Sequence, residues 1–267
     1  MTEFFDVNHW LGSSQHYIAG CKGNAEGKKE IIENIKKRLD ENNIKKCIIA
    51  SKLASGYDWK TGNDHLLETG LSENIEGLYY GLALNPDAYF RYEFSDYLEE
   101  AYKNNVRLFR MFPRSHLFYL NDHYMKKIYK ILSRKKFPVM LDLKQLDITG
   151  NKYFDIDVLE KVLEENPGMP FILETTLKQC MFSRFYFPLL ESFKNLYLEA
   201  SSLLLYDQIE HYVERFGSER LIFGTNYPGL PIEINTARII LSGVSEADKD
   251  NIVHGNLERI MGGIEIG

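Results

Sequence analysis

The side chains in this sequence that can move protons or hold anions sit at the ends of short apolar runs. Asp142 and Glu174 are carboxylates able to take or give a proton, and Arg110 and Lys144 are cations able to hold a carboxylate or phosphate group. Asn8, Trp10, Ser51, Asn85, Glu199, Ser201 and Asn226 close other runs of the same kind. A carboxyl group beside rings such as Trp10, Phe112 and Tyr227 has its pKa raised toward neutrality, which suits acid or base work without a metal. The expected catalytic group is therefore Asp142, Glu174 and Asn226. Asn8, Trp10, Arg110, Lys144 and Tyr227 are expected to contact substrate. The plainer alternative is that these charges pair with one another and simply close the surface on which they meet.

Such residues converge only if the chain brings its run ends together. The first run, Phe4 to Gly12, has the alternation of a strand, which places Asp6, Asn8 and Trp10 on one face and Val7, His9 and Leu11 on the other. Either that polar face is the wet side of an edge strand, or it points into the mouth of a closed barrel. His9 is then directed at the helix layer, as a structural histidine. Further short apolar runs follow at 46–51, 77–84, 106–110, 137–142, 171–175, 196–200 and 221–224, too brief for helices and rich in β-branched and aromatic residues.

Helical periodicity fills the gaps, at 28–43, around 64–74, and at 94–105, 123–134, 157–166, 185–193, 206–216, 232–241 and 246–261. In the helix over 123–134, Met125, Ile128, Ile131 and Leu132 form the expected inner side. Eight strands alternating with helices imply parallel pairing through right-handed crossovers. No Gly-x-Gly-x-x-Gly follows the first strand, so the expected fold is α/β, a single (β/α)8 TIM barrel spanning 1–267 as one domain.

Composition narrows the function classes. With 267 residues, 44% hydrophobic and 26% charged, the chain has enough apolar content for a sizeable core. A net charge of -6 with scattered Lys and Arg argues against nucleic-acid or anionic-membrane partners. A small-molecule partner, anionic by the cations noted above, is the expectation, and assembly into a homo-oligomer stays open. No apolar stretch approaches a membrane span and no basic leader precedes an apolar run, so a cytoplasmic protein is expected. Cys21, Cys47 and Cys180 form neither a C-x-x-C pair nor a disulfide framework; Cys47 reads as core.

Several stretches together resemble a known family. They are Asp6-x-Asn8-x-Trp10-Leu11-Gly12, Pro138 to Asp142, Glu199-Ala200-Ser201-Ser202, Leu221 to Pro228, and the closing Gly255-Asn256-Leu257-Glu258-Arg259-Ile260-Met261-Gly262. The pattern is similar to the amidohydrolase-related branch of the amidohydrolase superfamily, over essentially the whole chain. That resemblance implies a (β/α)8 barrel and a metal-dependent hydrolase, lactonase or decarboxylase acting on small, often carboxylate-bearing molecules.

The departures are at the ligands. Where the resemblance implies His-x-His, the chain has Asn8 and Trp10. The fifth-strand histidine falls on Asp142, and the sixth-strand histidine on Thr175 or, one residue earlier, Glu174. The eighth-strand aspartate falls on Asn226, a neutral amide that cannot serve as a base. The expectation is therefore a hydrolase of a lactone, ester or amide without metal or other cofactor, with Asp142 or Glu174 as base and Arg110 or Lys144 as anion anchor. A non-catalytic ligand-binding or partner protein on the same barrel is the alternative. A third possibility is a metal held by Asp142, Glu174 and a loop histidine such as His116.

Overall fold

The computed structural model describes residues 2–12, 25–56, 58–70, 75–147, 156–174 and 183–266, with backbone alone for 25–32, 70 and 183–185. Eight strands pair in sequence order, every pair parallel: β1 (Phe4–Leu11), β2 (Ile44–Ser51), β3 (Leu78–Leu84), β4 (Val106–Met111), β5 (Val139–Asp142), β6 (Phe171–Glu174), β7 (Leu196–Glu199) and β8 (Leu221–Ile222). The sheet closes where Val7 N–H donates to Phe223 O (3.2 Å) and Trp10 N–H to Tyr227 O (2.9 Å), with His9 bridged to Tyr227. The result is a nearly closed (β/α)8 barrel, as the alternation of runs and helices implies.

Helices wrap the barrel: α1 (Ala25–Glu41), α2 (Trp59–Gly70), α3 (Ala88–Arg91), α4 (Phe94–Lys103), α5 (Pro113–His116), α6 (His123–Arg134), α7 (Ile156–Glu165), α8 (Ser183–Ser192), α9 (Gln208–Phe216), α10 (Ile232–Leu241), α11 (Glu246–Asp250) and α12 (Asn256–Gly262). α6 shows why such segments form. Asp122 caps it, its carboxylate accepting from the Tyr124 and Met125 amides, and Met125, Ile128, Tyr129 and Leu132 recur at helical spacing on the buried side. Tyr129 takes the place expected of Ile131, which is only partly buried. The expected closing helix over 246–261 is interrupted by a π-helical turn at Asn251–Gly255, whose Ile252 carbonyl accepts from Phe223 N–H (3.0 Å).

Alternate strand residues pack in two layers. Outward ones, such as Cys47, Val106, Leu141, Leu173 and Leu198, meet the helices. Inward ones, Phe5, Val7, Ile48, Leu108, Met140, Ile172 and Ile222, fill the barrel axis together with Leu257 and Ile260 of α12. Cys47 is fully buried, as expected of a core thiol, whereas Cys21 and Cys180 lie outside the described residues. Among the described residues no helix is long and apolar enough to cross a membrane.

The alternation expected of β1 fails at one point. Its pairing with β2 shifts register between Asp6 and His9, so the first strand carries an extra residue. Val7 packs into the axial cluster, and its neighbour Asn8 nevertheless bonds Arg110 inside the barrel. Asp6 instead lies with His9 on the other side, bonded to it. Asp6 therefore does not share a face with Asn8 and Trp10; the bulge re-aims one polar residue outward and two inward.

Candidate active site at the barrel mouth

One layer above the axial cluster, the inward residues become polar. Arg110 follows Leu108 on β4, Asp142 follows Met140 on β5, Glu174 follows Ile172 on β6 and Glu199 follows Tyr197 on β7. Strand register sets Asp142 beside Glu174 and Glu174 beside Glu199. Since neighbouring strands run about 4.8 Å apart, this places three carboxyl groups in a row.

Arg110 is fully buried among them. Its Nη2 meets Glu174 Oε2 at 2.6 Å, its Nη1 donates to Asn8 Oδ1 at 2.9 Å, and its guanidinium carbon stands 4.0 Å from the centre of the Trp10 ring. Lys52, just beyond β2, brings its ammonium to 4.4 Å from the same indole, which also packs against Phe112. Gly224 makes room for this packing, because a Cβ there would lie 2.1 Å from Glu199 Oε1 and 2.9 Å from Asn8 Cβ.

Burial in this crowded row shifts the titration of Asp142 and Glu199. Burial, reinforced by the charge of Glu174, pushes Asp142 up to about 7. Burial, again with Glu174, pushes Glu199 up to about 8, although its carboxylate accepts from Ser201 N–H (2.8 Å) and Ser201 Oγ (2.7 Å). Burial and then the nearby Arg110 charge lower the Lys52 ammonium. Asp142 is only half buried and accepts from Lys144 N–H at 2.9 Å, while the Lys144 side chain is exposed. Next to it runs a groove of about 410 Å³ lined by Gly56, Arg114, Ser115, Leu117, Lys144 and Gln145. A larger one of about 830 Å³, lined by Glu3, Lys46 and Gly77 among others, lies at the opposite end of the barrel, away from these acids.

The expected site residues therefore divide. Asn8, Trp10, Arg110, Asp142 and Glu174 meet at the mouth, with Lys144 at its rim. Tyr227 lies on the outer side, stacked on His9 (ring centroids 5.0 Å apart) and covered by Arg38 of α1 at 4.3 Å. Asn226 has a positive φ of 51° and turns its amide toward Gly229 in its own loop. A ring nitrogen of His116 stands 3.0 Å from the Ala54 carbonyl. Thr175 lies outside the described residues. Lys52 and Glu199 were not among the expected site residues; both stand at strand ends, and only the register across the barrel reveals what they face.

Asp6, His9 and Cys47 offer ligand atoms within 4.8 Å of one another, all fully buried. They form a hydrogen-bonded knot. The two Asp6 oxygens accept from the Asn8 and Thr225 amides (2.9 Å each), Thr225 Oγ1 (2.6 Å) and His9 Nδ1 (3.1 Å). Burial keeps the Cys47 thiol protonated, its pKa well above the ordinary value. With Asp6 saturated and the thiol neutral, the knot fixes the seam between β1 and β8.

Comparison with known proteins settles the ancestry. The family model described as amidohydrolase matches residues 76–262, from just before β3 to the end of α12. The chain belongs to the amidohydrolase family. No curated protein matches it by sequence. Solved structures share the fold at low identity. A 2,6-dihydroxybenzoate decarboxylase in complex with 2,6-dihydroxybenzoate is 14% identical, with TM-score 0.70 over 98% of this chain and 99% of that one. A dihydroxybenzoic acid decarboxylase from a Polaromonas species, with bound manganese and 2-nitroresorcinol, is 13% identical, with TM-score 0.68 over 98% and 97%. A provisionally assigned 2-pyrone-4,6-dicarboxylic acid hydrolase from Pseudomonas putida is 13% identical, with TM-score 0.70 over 98% of each chain.

Proposed function

We propose that this amidohydrolase-family barrel hydrolyses a lactone, ester or amide of a small carboxylate-bearing molecule by acid–base chemistry, without a divalent metal. The observation that carries the reading is the half-buried Asp142, placed beside Glu174 and raised to about 7 at the accessible end of the acid row. Ionised Asp142 takes a proton from a water whose oxygen bonds to the substrate carbonyl carbon. The Lys52 ammonium stabilises the oxyanion so formed. Collapse breaks the bond to the leaving oxygen or nitrogen, and Asp142 returns the proton to it. Lys144, exposed at the rim, holds the substrate carboxylate.

The residues present do not fit a divalent ion. Zinc or manganese draws on several imidazole or carboxylate donors. Here the positions offer the Asn8 amide, already bonded to Arg110, the Trp10 indole, and a Glu174 carboxylate paired with the same arginine. They also offer the Asn226 amide, turned into its own loop, and the Asp142 carboxylate, which accepts from Lys144 N–H: one carboxylate without an arginine partner in place of several donors. Relatives of this fold named for dihydroxybenzoates and a pyrone dicarboxylate support a carboxylate-bearing substrate.

A panel of carboxylate-bearing lactones, esters, amides and hydroxybenzoates, assayed in excess chelator, tests the proposal. Hydrolysis of at least one member is expected. Release of carbon dioxide from a hydroxybenzoate with no hydrolysis of any member contradicts it. The pairing of Glu174 with Arg110, which ties up one of the two candidate bases, favours a second reading, in which the barrel holds a small carboxylate at the exposed Lys144 without turning it over. Thermal stabilisation by small carboxylates with no turnover of any panel member identifies that case.

A further inference from the structure

We propose that the Arg110 guanidinium is the resident cation on which the barrel mouth is assembled, standing among Asn8, Glu174 and Glu199 in the role a divalent ion would otherwise fill. This rests on the metal independence proposed above and goes further, since it names what replaces the ion. Arg110 ties three strands together as an ion would: β4 by its own backbone, β1 through Asn8 Oδ1 and β6 through Glu174 Oε2. It has almost no access to solvent, so substrate cannot reach it as an anion anchor. Its positive charge meets Glu174, Glu199, Asp142 and Asp6, in decreasing order of influence. A guanidinium does not lose its proton in a protein, so the charge is as permanent as that of a bound metal.

The substitution has a chemical consequence. A doubly charged ion holds neighbouring acids ionised. One guanidinium carries a single charge against the three carboxyls of Asp142, Glu174 and Glu199, so protons remain in the row near neutral pH, as the raised Asp142 and Glu199 values reflect. The barrel thereby exchanges Lewis acidity for a store of transferable protons. Arg110 is a positioning residue in this scheme, and it touches no reacting atom.

The test is the thermal stability of the full chain, read without reference to activity. Wild-type Tm is expected to be unmoved by chelator and by added manganese or zinc. Arg110→Ala is expected to melt lower, and millimolar methylguanidinium or manganese should each raise the Tm of that variant by about 2–4 °C when present at several times its dissociation constant. If neither cation stabilises Arg110→Ala, Arg110 contributes packing alone and the inference is overturned, while a metal-free, active wild type would leave the proposed function standing. A wild-type Tm that falls on chelation overturns both. If Arg110→Ala does not fold, Arg110→Lys and Arg110→Met decide between charge and packing: the lysine variant is expected to be the more stable, and a methionine variant of equal or higher Tm contradicts the inference.

Discussion

Asp142 is an aspartate whose surroundings, burial first and then the charge of Glu174, push it up to about 7. Because the base form is the ionised one, kcat/KM should rise as pH climbs through about 7 and then level off. Asp142→Asn should lower turnover by about 10²–10⁴-fold with the fold intact, measured by initial rates beside circular dichroism. Glu199 makes a different prediction, on stability. Its folded pKa of about 8 lies above the ordinary carboxylate range, so the folded state holds a proton that the unfolded chain has released. That contribution is fully present at low pH and is lost as pH rises toward about 8, so Tm should decline over that interval, and Glu199→Gln should flatten the decline. Asp142, Glu174 and Arg110 were legible in the sequence as polar ends of apolar runs. Lys52 was not, because its part depends on a four-carbon stem reaching Trp10 on the neighbouring strand.

At the level of elements, the seam between β1 and β8 decides which side chains enter the mouth. The bulge between Asp6 and His9 turns Asn8 and Trp10 inward, and Asp6 holds it by accepting two hydrogen bonds from Thr225 of the loop after β8. Thr225→Val removes one donor from a fully buried carboxylate and should cost about 1–3 kcal/mol, read by urea unfolding. Gly224→Ala sets a methyl against Glu199 and Asn8 and should cost a similar amount, about 1–3 kcal/mol, as overpacking. The strands themselves were readable because parallel strands covered on both faces appear as continuous apolar runs. The bulge was not, since one extra residue leaves the local composition unchanged while inverting the alternation beyond it. The pairing of Arg110 with Glu174, 64 residues apart, likewise exists only once β4, β5 and β6 stand side by side.

Across the whole molecule, the barrel brings the eight strand ends to one rim, which is why residues spread from Asn8 to Glu199 form a single charged layer. The closed architecture followed from the alternation of runs and helices, and the family from the first strand, the last strand and the closing helix. The chemistry required the register. The mouth holds one guanidinium, an amide, an indole and three acids, of which Asp142 and Glu199 are pushed up to about 7 and about 8. The most direct test is elemental analysis of purified wild-type protein, coupled to turnover of its best panel substrate in excess chelator. The prediction is no stoichiometric transition metal and undiminished hydrolysis; one tightly held zinc or manganese per chain, with activity lost on its removal, would contradict it.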